Sequence, residues 1–160
     1  MWIRTGSSLL ALALAAAALS CRASRSSARD PGPAADVGPG MRAEIIAMMV
    51  ESARAWNRGD LDTFVGYYLD SERTSFVGRR GVLHGRAAIR AAYAPRFAAP
   101  GMQDSLSFED VAIDSLAPGV AHVLAFYVLS RGDSTVARGP TSLVMERVGG
   151  RWEIVHDHSS

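Results

Sequence analysis

The sequence predicts an α+β domain in which three helices precede a curved antiparallel sheet. Apolar side chains recur at helical spacing through residues 41–97, whereas residues 106–160 alternate in the manner of strands. Gly and Pro residues separate the strand segments at short intervals, as turns do. Helices grouped before a run of strands are typical of an α+β layout, with the helices packed on one face of the sheet.

The helices are predicted from their apolar stripes and their end signals. The first runs over about 41–58, and Gly59 suits the left-handed residue that ends a helix. Asp60 then caps a shorter second helix. A third helix starts after Gly85, and Pro95 should stop it or kink it. The stripe of the first helix consists of Ile45, Met48, Met49, Ser52 and Trp56.

The strands are predicted from alternation and turn residues. Residues 74–77 and 82–84 form a short hairpin around a Gly-Arg-Arg-Gly turn. Between residues 106 and 113 the alternation changes phase, which predicts a bulge near Glu109 and Asp110. The last four strands are expected to follow one another as an antiparallel meander.

The N-terminus has the features of an export signal. Arg4 is followed by an uncharged apolar run from Leu9 to Leu19. This run is shorter than the ~20 apolar residues that a membrane-spanning helix needs, and its length is typical of a signal peptide. Cys21, the only cysteine of the chain, follows Ser20 just after this run and resembles the lipidation site of bacterial lipoproteins. We therefore expect residues 1–20 to be a signal peptide and Cys21 to be acylated. Ordinary secretion and an uncleaved anchor are the alternatives.

Residues 21–40 are expected to form a flexible tether between this anchor and a domain at residues 41–160. Val37 is the only large apolar residue within residues 22–40, so the stretch cannot bury enough surface to offset its ordering entropy. The protein would then lie in the cell envelope, as an outer-membrane or cell-surface lipoprotein. Without the lipid it would be periplasmic or secreted.

The charge balance argues against nucleic acid as a partner. The formal net charge is +1 and falls to 0 when Arg4 leaves with the signal peptide. A domain without a basic surface lacks the electrostatic footprint that binds phosphate backbones.

The last strand carries the leading candidate site. Strict alternation would put Trp152, Ile154, His156 and His158 on one face, and Asp157 on the other. Imidazoles beside apolar side chains suggest the wall of a cavity with a polar end. His156 and His158 could bind a ligand or act as general bases near neutral pH. A structural role, tying the strand end to its neighbours, is the alternative.

The aromatic residues complete the candidate set. Tyr68, Tyr93 and Tyr127 are expected in the pocket because a buried phenol needs a hydrogen-bond partner. Trp56 and Trp152 are included as ligand contacts, although Trp56 also suits a core position. No metal site or cofactor is expected: His156 and His158 supply two nitrogens, with His84 as the one plausible third, and zinc usually takes three or four protein ligands.

Three motifs carry a family resemblance across residues 41–160. Residues 56–64, 85–90 and 152–160 resemble the opening, the third helix and the closing strand of the SnoaL-like branch of the nuclear transport factor 2-like superfamily. The resemblance implies a cone-shaped curved sheet with three N-terminal helices on its concave face, one deep pocket, and a homodimer formed through the sheet. It does not name a reaction, because one fold hosts many functions.

Two functions follow from these observations. The first is a binding module whose pocket holds a small apolar or aromatic molecule. The second is a cofactor-free isomerase, dehydratase or cyclase that uses His156 or His158 with Tyr93 or Tyr127. A pocket plugged by Trp56, Met48 or Phe97 would argue against the enzyme.

Overall fold

A computed structural model describes residues 38–98 and 104–160 of the protein. The expected signal peptide, most of the tether and the candidate lipidation site Cys21 lie outside these ranges. The elements are α1 (Pro39–Asn57), α2 (Leu61–Val65), β1 (Ser75–Gly78), β2 (Gly81–His84), α3 (Arg86–Phe97), β3 (Ser105–Ala117), β4 (Val120–Arg131), β5 (Ser134–Val148) and β6 (Arg151–Ser159). None of the helices in the described ranges is long and apolar enough to cross a membrane.

The helices form where the apolar stripes predict them. α1 begins at Pro39, within the segment expected to be tether, because proline is pre-organised for the first turn of a helix. The Asp60 side chain accepts a hydrogen bond from the N–H of Thr63 at 3.0 Å, which confirms the predicted cap of α2. α3 continues through Pro95 to Phe97. The exposed proline removes only one intrahelical bond there.

The sheet has six strands in the described residues, in the order β2-β1-β6-β5-β4-β3. The meander β3–β6 is antiparallel, as predicted, and the hairpin β1–β2 is present. The expectation of a purely antiparallel sheet is wrong, because β1 pairs in parallel with β6. The sheet is therefore mixed, curved and open at β2 and β3.

Bulges set which side chains face the helices. The face that packs against the helices is called the inner face below, and the opposite one the outer face. The predicted bulge in β3 is confirmed: pairing shifts between Glu109 and Ala112, and Asp110 adopts a φ of +53°. The extra residue lets β3 bend around the core.

A second bulge, in β6, was not predicted. Ile154 pairs with Met145, but His156 pairs with the adjacent Val144, so Val155 is an extra residue. Trp152 and Ile154 face inward before the bulge, and Asp157 faces inward after it. The expectation that Trp152, Ile154, His156 and His158 share a face is wrong, because the bulge inverts the alternation.

α1 protects the free edge of β3. The Trp56 Nε1 donates to the Asp104 carbonyl at 2.7 Å. The Asn57 amide group accepts from the N–H of Leu106 at 2.7 Å and donates to its carbonyl at 3.1 Å. These side chains satisfy backbone groups that an exposed edge strand would leave open.

Candidate binding site on the inner face of the sheet

A chain of buried polar side chains crosses the inner face at the end of β6. Asp157 is 5% exposed, and both of its carboxylate oxygens accept hydrogen bonds. The Tyr68 hydroxyl donates to Oδ2 at 2.6 Å, and the Ser159 hydroxyl donates to Oδ1 at 2.7 Å. The Thr141 hydroxyl lies 2.8 Å from that of Ser159. The bulge at Val155 positions this chain, because it turns Asp157 inward.

Two further tyrosines lie around this cluster. Tyr93, on α3, is half-buried and interacts electrostatically with Asp157 and Tyr68. Tyr127, on β4, lies close to Tyr93, and its hydroxyl donates to the carbonyl of Ser160 at 3.1 Å. A side chain at Gly139 would collide with the Tyr127 ring, so glycine is what lets this tyrosine lie flat on β5.

Aromatic rings surround the polar chain. Trp56 contacts Phe64, Tyr93 and Phe97 edge-on, with ring centroids 5.2, 5.9 and 5.1 Å apart. Phe76, on β1, contacts Tyr93 at 5.6 Å. Trp56 and Phe64 are buried, whereas Phe76, Tyr93 and Phe97 are half-buried. Solvent therefore reaches this cluster at the half-buried rings.

Burial shifts the titration of these groups. Desolvation raises the pKa of Asp157 above its ordinary value of 3.8, and the hydrogen bonds from Ser159 and Tyr68 offset part of that rise. Desolvation, followed by the Asp157 charge, raises the pKa of both Tyr68 and Tyr93. The phenols therefore keep their protons at neutral pH and remain hydrogen-bond donors. A buried carboxyl with a shifted pKa next to donors is typical of a functional site.

A family model for the SnoaL-like domain matches residues 45–160. The chain belongs to the SnoaL-like domain family. A search of curated proteins gave no match.

Solved structures share the fold of this SnoaL-like domain. An NTF-2 like protein of unknown function from Shewanella oneidensis MR-1 is 28% identical, with a TM-score of 0.68 over 74% of this chain and 98% of that one. A candidate calcium/calmodulin-dependent protein kinase type II association domain from Thiobacillus denitrificans ATCC 25259 is 20% identical (TM-score 0.62, 72% and 92% covered). A candidate scytalone dehydratase from Novosphingobium aromaticivorans DSM 12444 is 13% identical (TM-score 0.60, 74% and 81% covered). At such identities the last two comparisons support the fold alone.

The structure brings only some of the predicted site residues of the SnoaL-like domain together. Tyr68, Tyr93, Tyr127 and Trp56 lie on or near the Asp157 cluster. Trp152 lies at the other end of β6, where its Nε1 donates to Glu44 of α1 at 2.9 Å. The structure therefore gives Trp152 a contact that joins the helix to the sheet.

The histidines lie on the outer face, away from this cluster. His156 pairs with Ser75 of β1, and its Nδ1 is 2.8 Å from the Ser75 hydroxyl. His158 is exposed. No group of three metal-ligating side chains occurs within residues 38–98 and 104–160. The third histidine considered for a metal, His84, is separated from His156 by β1.

Two cavities open elsewhere on the described surface. A groove of about 310 Å³ lies between α1 and β3 and is lined mainly by apolar side chains. A depression of about 410 Å³ lies between α2 and α3, where Arg86 and Arg90 are paired with Asp70 and Asp62. Neither cavity includes Asp157. The groove has no buried polar side chain aimed into it, and the arginines of the depression are already neutralised.

Asp157, Ser159 and Thr141 are the site residues that sequence reasoning missed. The signal was present in the adjacent apolar pair Ile154 and Val155, because two neighbouring inward residues mark a change of phase. The same argument correctly located the bulge in β3.

Proposed function

We propose that this SnoaL-like domain binds a small apolar or aromatic molecule that carries a hydrogen-bonding group. The buried Asp157 carboxyl, held by two hydroxyl donors inside an aromatic cluster, is the observation that supports it most. Burying an ionisable group lowers the stability of the fold, and an apolar residue at this position would avoid that cost. Such a group is more readily explained by a ligand than by packing.

The ligand's polar group would meet Tyr93 and Asp157. Tyr68 and Ser159 already occupy one lone pair on each carboxylate oxygen, and each oxygen retains acceptor capacity for a ligand hydroxyl. Tyr93 would donate to an oxygen of the ligand. The ring edges of Phe76 and Phe97 would contact its apolar part. The predicted ligand is thus a flat phenol or related aromatic alcohol or ketone.

Tyr93→Phe is expected to weaken binding of 2-naphthol about tenfold, because it removes one hydrogen bond but keeps the ring. Titration of naphthol fluorescence measures this, with naphthalene as the ligand that lacks the hydroxyl. Tyr67→Phe is the matched control, because the half-buried Tyr67 is influenced by Glu51 and Arg151 and not by Asp157. Equal affinity for naphthol and naphthalene, or an equal loss in both variants, would contradict the proposal.

The raised pKa of Asp157 favours a second candidate, a cofactor-free isomerase, dehydratase or cyclase. A carboxyl whose pKa is raised binds a proton more readily than an ordinary Asp side chain and is better suited to general acid–base chemistry. Asp157 would then take the role expected of His156 or His158, with Tyr93 as its partner. Deuterium uptake by 2-tetralone, an aromatic ketone with acidic C–H bonds, would separate catalysis from binding alone.

We further propose export and anchoring through acylated Cys21, with the domain working as a homodimer in the cell envelope. The apolar run before Cys21 and the tether-like composition after it support the anchor. More than one acyl chain gives stable attachment, since each buried methylene contributes ~0.8 kcal/mol.

Cys21→Ser is expected to move the protein from the membrane fraction to the soluble fraction and to abolish labelling with radioactive palmitate. Detergent phase partitioning of cell extracts measures the change. Ser26→Ala, in the same segment, should leave both properties unchanged. Membrane retention of the Cys21→Ser protein would instead indicate an uncleaved anchor.

A further inference from the structure

Arg96 lies over the aromatic rings of the candidate site. It is exposed, and its guanidinium carbon lies 6.0 Å from the centroid of the buried Trp56 ring. Tyr93 precedes it by three residues on α3, so both side chains leave the same face of the helix. Burial raises the pKa of Tyr93, and the Arg96 charge lowers it in part, so the guanidinium is close enough to act on the phenol. Arg96 therefore belongs to the surroundings of this site.

Arg96 differs from the other arginines of α3 in its charge partners. Arg86 pairs with Asp70, and Arg90 lies 2.8 Å from Asp62. No carboxylate in residues 38–98 and 104–160 lies within salt-bridge distance of Arg96. The described part of the chain thus leaves this cation available to an anion from outside the protein.

The N–H groups of Arg96 suit a carboxylate. Contact with an aromatic ring uses the flat face of a guanidinium, whereas its N–H groups point outward in the plane. Those groups match the two oxygens of a carboxylate and can donate two parallel hydrogen bonds to it. An anion bound beside half-buried rings is partly shielded from water, which strengthens the ion pair relative to one at a fully exposed position.

The two ends of the site carry opposite charges. The buried end has the Asp157 carboxyl, which accepts hydrogen bonds from Tyr68 and Ser159. The exposed end has the Arg96 guanidinium. A ligand with a hydrogen-bond donor at one end and a negative charge at the other would match both groups. In the reverse orientation, its charge would meet Asp157 where little water screens the repulsion.

We propose that Arg96 determines the charge of the ligand, and that the ligand is an aromatic carboxylate whose ring carries a hydroxyl group. This inference rests on the proposed ligand site and narrows its ligand from flat phenols in general to hydroxyaryl acids. The hydroxyl group would meet Asp157 and Tyr93. The carboxylate would pair with Arg96.

An arginine in the last turn of α3 has one other evident role, which is to interact with the helix dipole. That role depends on charge alone, so a lysine would fill it equally well. It would also leave the choice of ligand unaffected. The two roles therefore differ in how substitutions of Arg96 change the preference between a charged and a neutral ligand.

The test compares 6-hydroxy-2-naphthoate with 2-naphthol by fluorescence titration of the full chain carrying Cys21→Ser, at about pH 7, where the carboxylic acid is ionised. We expect the carboxylate to bind about tenfold more tightly, because it adds charge-assisted hydrogen bonds. Arg96→Gln should abolish this preference and leave the affinity for 2-naphthol within about twofold. Arg96→Lys should keep only part of it, because an ammonium lacks the planar fork of donors.

Two controls separate a specific contact from general attraction of anions. Arg90→Gln removes a paired arginine from the same helix and should leave the preference unchanged. Arg79→Gln with Arg80→Gln removes two exposed cations from the turn between β1 and β2 and should do the same. A loss in either control as large as that in Arg96→Gln would overturn the inference. Thermal unfolding of each variant checks that the fold is retained.

The remaining outcomes distinguish this inference from the proposed function. If the wild type binds both ligands equally, or if Arg96→Gln keeps the preference, the role of Arg96 is excluded and the phenol site stands. If the wild type binds neither ligand, the proposed function fails as well. Tyr93→Phe should weaken both ligands by the same factor, and unchanged binding in that variant would place both ligands elsewhere on the protein.

Discussion

Replacing Asp157 with Asn is expected to stabilise the fold while destroying its binding site. The amide is nearly the same shape and carries no charge, so the desolvation cost of the buried carboxylate disappears. Each unit by which burial raises the Asp157 pKa corresponds to ~1.4 kcal/mol. We expect the free energy of unfolding at neutral pH to rise by less than the full desolvation cost, because the amide has one acceptor oxygen fewer and loses a hydrogen bond of about 1 kcal/mol. Naphthol affinity should fall at least tenfold.

Asp157→Asn is also expected to change how the free energy of unfolding depends on pH. The pKa of the Asp157 carboxyl is higher in the folded state than its unfolded value of 3.8, so the folded state keeps this proton to a higher pH than the unfolded chain does. Its contribution to stability is therefore greatest at low pH and is lost as the pH rises from about 3.8 through the raised folded value. Asp157→Asn lacks this contribution, so its advantage over the wild type should grow with pH across that window.

Urea unfolding of both proteins between about pH 4 and pH 8 measures this difference. Asp114→Asn, at an exposed carboxylate on β3, is the matched control and should change stability little at any pH. A constant stability difference between wild type and Asp157→Asn across the range would show that the buried carboxyl does not titrate as proposed. Retained deuterium uptake by 2-tetralone would exclude Asp157 as the proton-transfer group.

Trp56→Ala is expected to cost about 3–5 kcal/mol, the range typical of a buried aromatic ring removed from a core. The Trp56 ring is 4% exposed and contacts rings from α2 and α3. Its indole N–H also anchors Asp104, the residue just before β3. The loss is large compared with the 5–15 kcal/mol stability of an ordinary domain. Thermal and urea unfolding measure it.

Trp56→Phe separates packing from the hydrogen bond. It keeps most ring contacts and should cost only about 1–2 kcal/mol, chiefly through the lost bond to the Asp104 carbonyl. If the two variants were equally unstable, the hydrogen bond would dominate instead. If Trp56→Ala were tolerated and bound naphthol more tightly, Trp56 would be a plug in the pocket.

Local patterns predicted the elements of this SnoaL-like domain well. The stripe on α1, the Asp60 cap and the bulge near Asp110 each depend on residues within a few positions of one another. The parallel pairing of β1 with β6 joins residues about 80 positions apart, such as Ser75 and His156. No local pattern specifies it, so only the complete fold reveals the mixed sheet.

The candidate site was predicted less well than the fold. The tyrosines lie near the polar cluster, where phenols are suited to a boundary between apolar and polar surroundings, and their role as ligand contacts stays a prediction. The histidines were misplaced because strict alternation was extended across Ile154 and Val155. The adjacent apolar pair signals a change of phase, and the change turns Asp157 rather than the imidazoles toward the helices.

The bulge at Val155 absorbs one residue that the regular alternation of β6 does not need. Ile154 and His156 pair with adjacent residues of β5, so a related sequence without Val155 would run through this point as a regular strand with the same side chains on the same faces. A sequence that kept Val155 in regular pairing would instead turn the imidazoles toward the helices and the carboxylate toward solvent. The interior position of the carboxylate therefore depends on the bulge wherever the extra residue is present.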